Sequence, residues 1–143
     1  MIEVRVLHRG DEPLLMRVAQ GVFDNAVDIE NSANFLRDPR HHLAVAVEQS
    51  VVVGFCSGVD YIHPDKPPEL WINEVGVAPS HRNRRVARKL VRALLDVARN
   101  AGCRHAWVLT DRSNSAAMRL YASAGGTEAQ EDTVMFSFVL DEL

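Results

Sequence analysis

Cysteine is scarce in this chain, and the little there is lacks a pattern. Cys56 and Cys103 are the two cysteines in 143 residues, with no Cys-x-x-Cys spacing. That excludes a disulfide scaffold and leaves buried free thiols as the expectation. Among the histidines, His41, His42, His63 and His81 include no pair at ligand spacing on a helix and have no cysteine beside them. No metal is therefore expected. Long apolar runs are missing too, since none approaches the ~20 residues that span a bilayer. Residues 1–6 alternate like a strand instead of forming the apolar core of a secretion signal. A cytoplasmic protein with no membrane partner is the expectation. Repeats, low-complexity tracts and linkers are also absent, and one domain over residues 1–143 is expected.

What is present is ordinary in amount and uneven in placement. The chain is 47% hydrophobic and 24% charged, as soluble globular proteins are. Its net charge is −3, yet basic residues crowd between Arg82 and Arg104. Acidic residues gather elsewhere, at Asp24, Asp28 and Glu30, at Glu69 and Glu74, and again at Glu128, Glu131 and Asp132. The segregation suits an anionic ligand on one side and a cationic one on the other. Nucleic acid would need a broader basic face with aromatic stacking groups, and only 6% of the residues are aromatic.

Periodicity orders the elements. Residues 2–7 alternate as a strand, and 12–23 carry Leu15, Val18, Ala19 and Val22 at helical spacing. Asp28 is the N-cap of a second helix that ends before Asp38-Pro39. Residues 43–48 and 51–61 form a hairpin around Gln49-Ser50, and the prolines of 63–68 impose a loop. A strand over 70–77 follows. A helix over 84–101 then turns Val86, Leu90, Leu94, Val97 and Ala101 inward, until Gly102 stops it. A strand over 106–110, a helix over 114–124 and a last strand over 133–140 complete the order.

The basic segment Val77-Ala78-Pro79-Ser80-His81-Arg82-Asn83-Arg84-Arg85-Val86-Ala87-Arg88-Lys89 opens the 84–101 helix. A helix start already offers unpaired N–H groups and the positive end of a dipole, so cations there cost stability unless an anion neutralises them. A solvated basic face is the plainer reading, and His81 reads as a solvated loop residue. The destabilising placement favours a bound anion. The segment resembles the acyl-CoA loop of the GNAT N-acetyltransferases, Arg/Gln-x-x-Gly-x-Gly/Ala, on Arg82, Asn83, Arg84, Arg85, Val86 and Ala87. Arg85 replaces the usual Gly. If that position requires positive φ, the strain is about 1–2 kcal/mol.

Downstream, Asn114-Ser115-Ala116-Ala117-Met118-Arg119-Leu120-Tyr121-Ala122-Ser123-Ala124-Gly125-Gly126 is similar to that family's Asn-x-x-Ala-x-x-Leu-Tyr-x-x-x-Gly helix. Gly126 stands where Phe is usual. By residue type alone Tyr121 reads as a core aromatic on the Ala117, Leu120, Tyr121, Ala124 stripe. The resemblance implies instead that Tyr121 protonates the departing thiolate. It further implies that Val75, Val77, the basic loop through Arg88, Asn114 and Ala117 hold acetyl-CoA. The implied fold is α/β (α+β): a mixed sheet of about six to seven strands, splayed between its central parallel pair and flanked by four helices.

Amine acetylation also needs a base, because an ammonium must lose a proton before it attacks. Glu69 and Glu74 bracket the strand Glu69-Leu70-Trp71-Ile72-Asn73-Glu74-Val75-Gly76-Val77. Glu74 interrupts an apolar run, where burial without a partner would be costly, while Glu69 reads equally well as an ordinary solvated strand start. This strand, with Val22-Phe23-Asp24 and Val134-Met135-Phe136, resembles the aminoglycoside 3-N-acetyltransferase branch, whose activity is antibiotic resistance. The resemblance implies a cationic acceptor held by Asp24, Asp28, Glu30, Trp71 and Glu74, with Glu74 as base and Glu69 as the alternative. A homodimer is left open. Trp107 reads as core. A protein, peptide or small-amine acetyltransferase is the alternative enzyme, and a CoA-sensing module without turnover the alternative outside enzymes.

Overall fold

The computed structural model describes every residue except Asn83, Arg84, Glu142 and Leu143. Its centre is a five-stranded sheet in the order β1-β2-β3-β4-β5: Glu3–Val6, His41–Glu48, Val51–Tyr61, Glu69–Val77 and His105–Val108. The first three neighbouring pairs are antiparallel and β4 with β5 is parallel, the step bridged by helix α2 (Val86–Asn100). Helix α1 spans Ile29–Arg37 and α3 spans Ser115–Ser123. Among the described residues no helix is long and apolar enough to cross a membrane.

α2 packs against β1, β2, β3 and β4 and buries Val86, Leu90, Val91, Leu94 and Ala98. The buried stripe thus drifts from the expected Val97 and Ala101 to Val91 and Ala98. Ideal Cβ atoms built on Gly54 and Gly58 would meet Leu90 and Leu94, so Cys56 between them shares the α2 face by strand alternation. α2 ends on Gly102 at φ 86, where Cys103 N–H reaches back to the Ala98 carbonyl. α1 covers part of the opposite face, capped as expected by Asp28, whose carboxylate accepts the Asn31 N–H at 2.8 Å.

Two expected elements take other forms. Residues 12–23 are a single 3-10 turn, Glu12–Met16, followed by irregular chain. Arg17 and Ala19 instead exchange backbone hydrogen bonds with Val52, and Gly21 adopts φ 84. Apolar spacing alone could not separate this backbone pairing from a helix. Residues 133–140 are no strand in this structure but exposed, irregular chain. Among the described residues the sheet therefore has five strands rather than six or seven, and three α-helices with two 3-10 turns stand where four helices were expected.

The parallel pair is in register only from Glu69–His105 to Ile72–Val108. Past Ile72, β4 continues to Val77 with β3 on one edge and no β5 partner on the other. This is the expected parting of the strands, and it sits just before the basic loop.

Candidate active site

β4 carries an irregularity where its strand partner is lost. Ser57 of β3 lies opposite Glu74, and the next residue, Gly58, lies opposite Ile72, so Asn73 is an extra residue in β4. Such a bulge turns two consecutive side chains toward one side. Asn73 and Glu74 are both exposed and both line one cavity. Glu74 thus escapes the costly burial that its place in an apolar run threatened. The adjacent polar pair in an apolar strand is the sequence signal of the bulge, and it adds Asn73 to the site residues.

The cavity holds about 340 Å³ between β4 and the loop that precedes α1. Its apolar part comes from Leu15, Phe23, Phe35, Leu43 and Phe55, with Phe23 stacked on Phe55 at 4.1 Å between centroids. Its polar part comes from Asp24, Asn25, Asp28, Asn31, Ser32, Ser57, Asn73 and Glu74. Among the described residues three carboxylates and no cation line it, an arrangement that attracts positive charge. Gly76 holds the wall in place, because a Cβ there would lie 2.3 Å from the Val22 carbonyl oxygen. The loop can approach β4 only across a residue without a side chain.

Other expected acceptor residues lie outside this cavity. Glu30 is exposed in the first turn of α1. Glu69, at the far end of β4, accepts the Tyr61 hydroxyl at 2.8 Å. Tyr61 Oη in turn accepts the Trp107 indole N–H at 2.8 Å, and Trp107 stacks on Trp71 with centroids 5.8 Å apart. At ~3.3 Å per residue Glu69 is more than 10 Å from Glu74 along the strand, so the two carboxylates do not share one acceptor position. Trp107, 39% exposed, is a surface stack rather than core.

The anion-seeking features lie just past the end of β4. Arg82 Nε donates to the Val77 carbonyl at 3.3 Å, which fixes the guanidinium at the end of the strand. Arg85 is the N-cap of α2 with φ 60 and ψ 17, the left-handed region, and its side chain makes no capping bond. This geometry accounts for a Gly at the corresponding family position. Arg88 Nε, in the first turn, is buried without a hydrogen-bond partner among the described residues. An uncapped helix start beside an unpartnered buried guanidinium nitrogen fits a pyrophosphate. Val86 is buried in the core, so only its backbone can face a ligand, and Ala87 follows it in the helix. Asn83 and Arg84 lie outside the described residues. His81 is not solvated: its Nε2 sits 3.2 Å from Glu48, with the side chain only 12% exposed.

Helix α3 places the remaining residues. Asn114 Oδ1 caps it by accepting the Ala117 N–H at 3.0 Å, a bond that does not use the amide NH₂. Tyr121 packs against the core cluster as a partly buried residue. Burial raises its phenol above the usual value, and the neighbouring Cys56 sulfur adds to the rise. Burial pushes the Cys56 thiol itself up to about 12. Both groups therefore keep their protons at neutral pH, and Tyr121 has one to give.

A cavity with carboxylates, a parted strand pair and a basic helix start follow one another along β4. The family model for acetyltransferases of the GNAT family matches residues 11–125. The chain belongs to this family. Among curated relatives, this GNAT protein is 36% identical over 90 residues to the N-alpha-acetyltransferase RimI of Mycobacterium tuberculosis, covering 63% of this chain and 54% of that one. It is 30% identical over 95 residues to the aminoglycoside N(6')-acetyltransferase type 1 of Salmonella typhimurium, covering 62% and 66%. It is 33% identical over 118 residues to the L-2,4-diaminobutyric acid acetyltransferase of Streptomyces coelicolor, covering 79% and 67%. The chain thus spans between about half and two thirds of these relatives' lengths. In fold it is similar to the aminoglycoside acetyltransferase meta-AAC0020 from an uncultured soil metagenomic sample, solved with sisomicin. The TM-score is 0.81 at 20% identity, over 97% of this chain and 96% of that one. AAC(6')-Iy, solved with CoA, gives 0.74 at 21% identity, over 96% and 95%.

Proposed function

We propose that this chain is an acetyl-CoA-dependent N-acetyltransferase whose acceptor is a small polycationic amine, an aminoglycoside foremost. The observation that carries the reading is the cavity in which Asp24, Asp28 and Glu74 converge beside the unpaired stretch of β4. Bound acetyl-CoA supplies the activated acyl group. The basic helix start with Arg82, Arg85 and Arg88 suits its pyrophosphate, and the open edge of β4 at Val75 and Val77 suits its amide-bearing arm. Asn114 and Ala117, at the start of α3, are the remaining contacts proposed for that arm.

In this mechanism Asp24 and Asp28 hold the acceptor's ammonium groups while Glu74, directly or through water, takes the proton from the one that reacts. The freed amine nitrogen attacks the thioester carbonyl, a C–N bond forms and the C–S bond breaks. Tyr121 gives its phenolic proton to the departing sulfur. Glu69, engaged by Tyr61, is left out of the reaction. The site of transfer on the acceptor is a finer question. The strand pattern around Glu74 favours the 3-amino group, whereas the aminoglycoside relative named above is of the 6′ type.

The test is CoA release with a panel of aminoglycosides, diamines and an N-terminal peptide, followed by NMR of the product. Turnover on aminoglycosides well above the others is expected. Preference for the peptide would replace this reading with that of the RimI-like relative, and no turnover on any amine would favour a non-catalytic CoA-binding module. Glu74→Gln should lose turnover together with the rising limb of the pH–rate profile. A rise in the acceptor's KM alone would make Glu74 an anchor instead of the base.

A further inference from the structure

Both tryptophans of this chain meet in one stack, outside the carboxylate cavity but on the same face of the sheet. The strand register fixes that face. Glu74 of β4 lies opposite Ser57 of β3, Trp71 opposite Val59, and Glu69 opposite Tyr61. Residues 57, 59 and 61 point to one side of β3, so Glu74, Trp71 and Glu69 share that side. Trp107 of β5 lies opposite Trp71 and joins it across the parallel pair. At ~3.3 Å per residue, Trp71 stands roughly 10 Å from Glu74 along the strand.

Hydrogen bonds hold this aromatic tray in one geometry. The Trp107 indole N–H donates to Tyr61 Oη, and the Tyr61 hydroxyl donates to Glu69 Oε1, each at 2.8 Å. The other Glu69 oxygen has no hydrogen bond among the described residues. Trp107 is 39% exposed, and Trp71 and Glu69 are only partly buried. Large rings left open to this extent mark a contact surface. The carboxylate at their edge restricts what the surface can hold. β3, β4 and β5 contain no Lys or Arg, so these strands supply no cation to the rings. Indole faces beside a carboxylate suit an ammonium. An anion would be repelled by Glu69, and a neutral ring would gain nothing from it.

We propose that the tray is a second acceptor subsite: Trp71 and Trp107 take a further ammonium of the same polycationic amine whose reacting nitrogen lies at Glu74, with Glu69 as its counter-charge. The inference rests on the acceptor reading above and adds a length requirement to it. An acceptor with its amines on a single ring fills the cavity alone, whereas a multi-ring amino sugar reaches both places. The tray touches no reacting atom, so it governs binding of long acceptors and leaves the chemistry alone. Glu69 thereby gains a role other than that of base.

Because the tray holds every tryptophan of the chain, its emission reports occupancy without turnover. The multi-ring amino sugar sisomicin and its single-ring component 2-deoxystreptamine are titrated into the CoA-bound protein, with calorimetry to establish binding of each. Sisomicin should change the emission saturably at its calorimetric Kd, and 2-deoxystreptamine should bind more weakly and leave it unchanged. Trp107→Leu should raise the KM for sisomicin about 2- to 30-fold at unchanged kcat, with no effect on the single ring. Glu69→Gln, which still accepts the Tyr61 hydroxyl, should act in the same direction and less at high salt. Sisomicin bound without an emission change would overturn the subsite and leave the acceptor reading intact. Equal losses on both acceptors would do the same, being the mark of a merely structural stack. Binding of neither amino sugar would overturn the acceptor reading and the subsite with it. If Trp107→Leu does not fold, Trp107→Phe and the wild-type titration decide.

Discussion

The sheet is two different materials on the two sides of β4. β2 buries residues 43–46 and β3 buries 52–56, and α2 lays five buried side chains across them. Beyond β4, three of the four residues of β5 are exposed and α3 buries none of its side chains fully. The proposed acceptor cavity stands on the first side, where Phe55 lies in β3 and Glu74 in β4. Tyr121 and Asn114 stand on the second. In the proposed mechanism, selection of the amine falls to the better-buried frame and protonation of the leaving group to elements freer to adjust, since local stability follows local burial.

Truncation should expose this asymmetry most strongly. Leu94 is fully buried on α2, so Leu94→Ala should cost about 2–5 kcal/mol in chemical denaturation. Leu109, just past β5 and 54% exposed, should cost less than about 0.5 kcal/mol as Leu109→Ala. Comparable costs would mean that the second side is as well packed as the first.

The next effect is kinetic. Tyr121→Phe keeps the ring and removes the proton, so turnover at saturating substrates should fall roughly 10²-fold if acid catalysis limits the rate. The melting temperature should hardly move. Turnover equal to wild type would remove Tyr121 from the mechanism and return it to packing.

Alkaline titration separates the two sides through Cys56, a rigid-side residue that neighbours Tyr121. Its thiol has an ordinary value of 9.0 and is held up to about 12 by burial. Between those limits the unfolded chain has lost the proton and the folded chain retains it. Stability therefore falls as pH rises through this window, by up to about 1.4 kcal/mol per unit. Tyr121, also raised, acts in the same direction above its own ordinary value of 10.0. Cys56→Ala should flatten the decline above pH 9 in thermal melts. An unchanged slope would assign the alkaline loss to other groups.

What was legible in the sequence follows the same division. The β2–β3 hairpin, β4, the basic loop and α2 could be read because their burial imposes alternation or a helical stripe on the residues themselves. Asp28 and Asn114 could be read as caps because capping chemistry is local. The cavity wall could not, since it depends on Gly76 yielding space to the Val22 carbonyl, a contact between distant segments. The 12–23 stretch misled for a related reason: Leu15, Val18, Ala19 and Val22 fit a helix, but Val52 claimed the backbone. His81 found Glu48 across the fold, which no spacing announces. Residues 133–140 have the pattern of a strand and pair with no strand among the described residues.

Arg85 offers the smallest and most selective probe of the border between the two sides. Its φ of 60 costs a non-glycine residue about 1–2 kcal/mol. Glycine removes that strain but gives back roughly 0.5–1 kcal/mol through the entropy of the unfolded chain. Arg85→Gly should therefore stabilise the ligand-free protein by up to about 1 kcal/mol, visible as a small rise in Tm. If the guanidinium also faces the pyrophosphate, calorimetry should record weaker CoA binding by the same variant. The opposite signs are the signature: a strained backbone retained for its charge. A variant that is more stable and binds CoA equally well would leave Arg85 with strain and no role in binding. A variant that is less stable would mean that the αL turn is held by contacts of the arginine side chain itself.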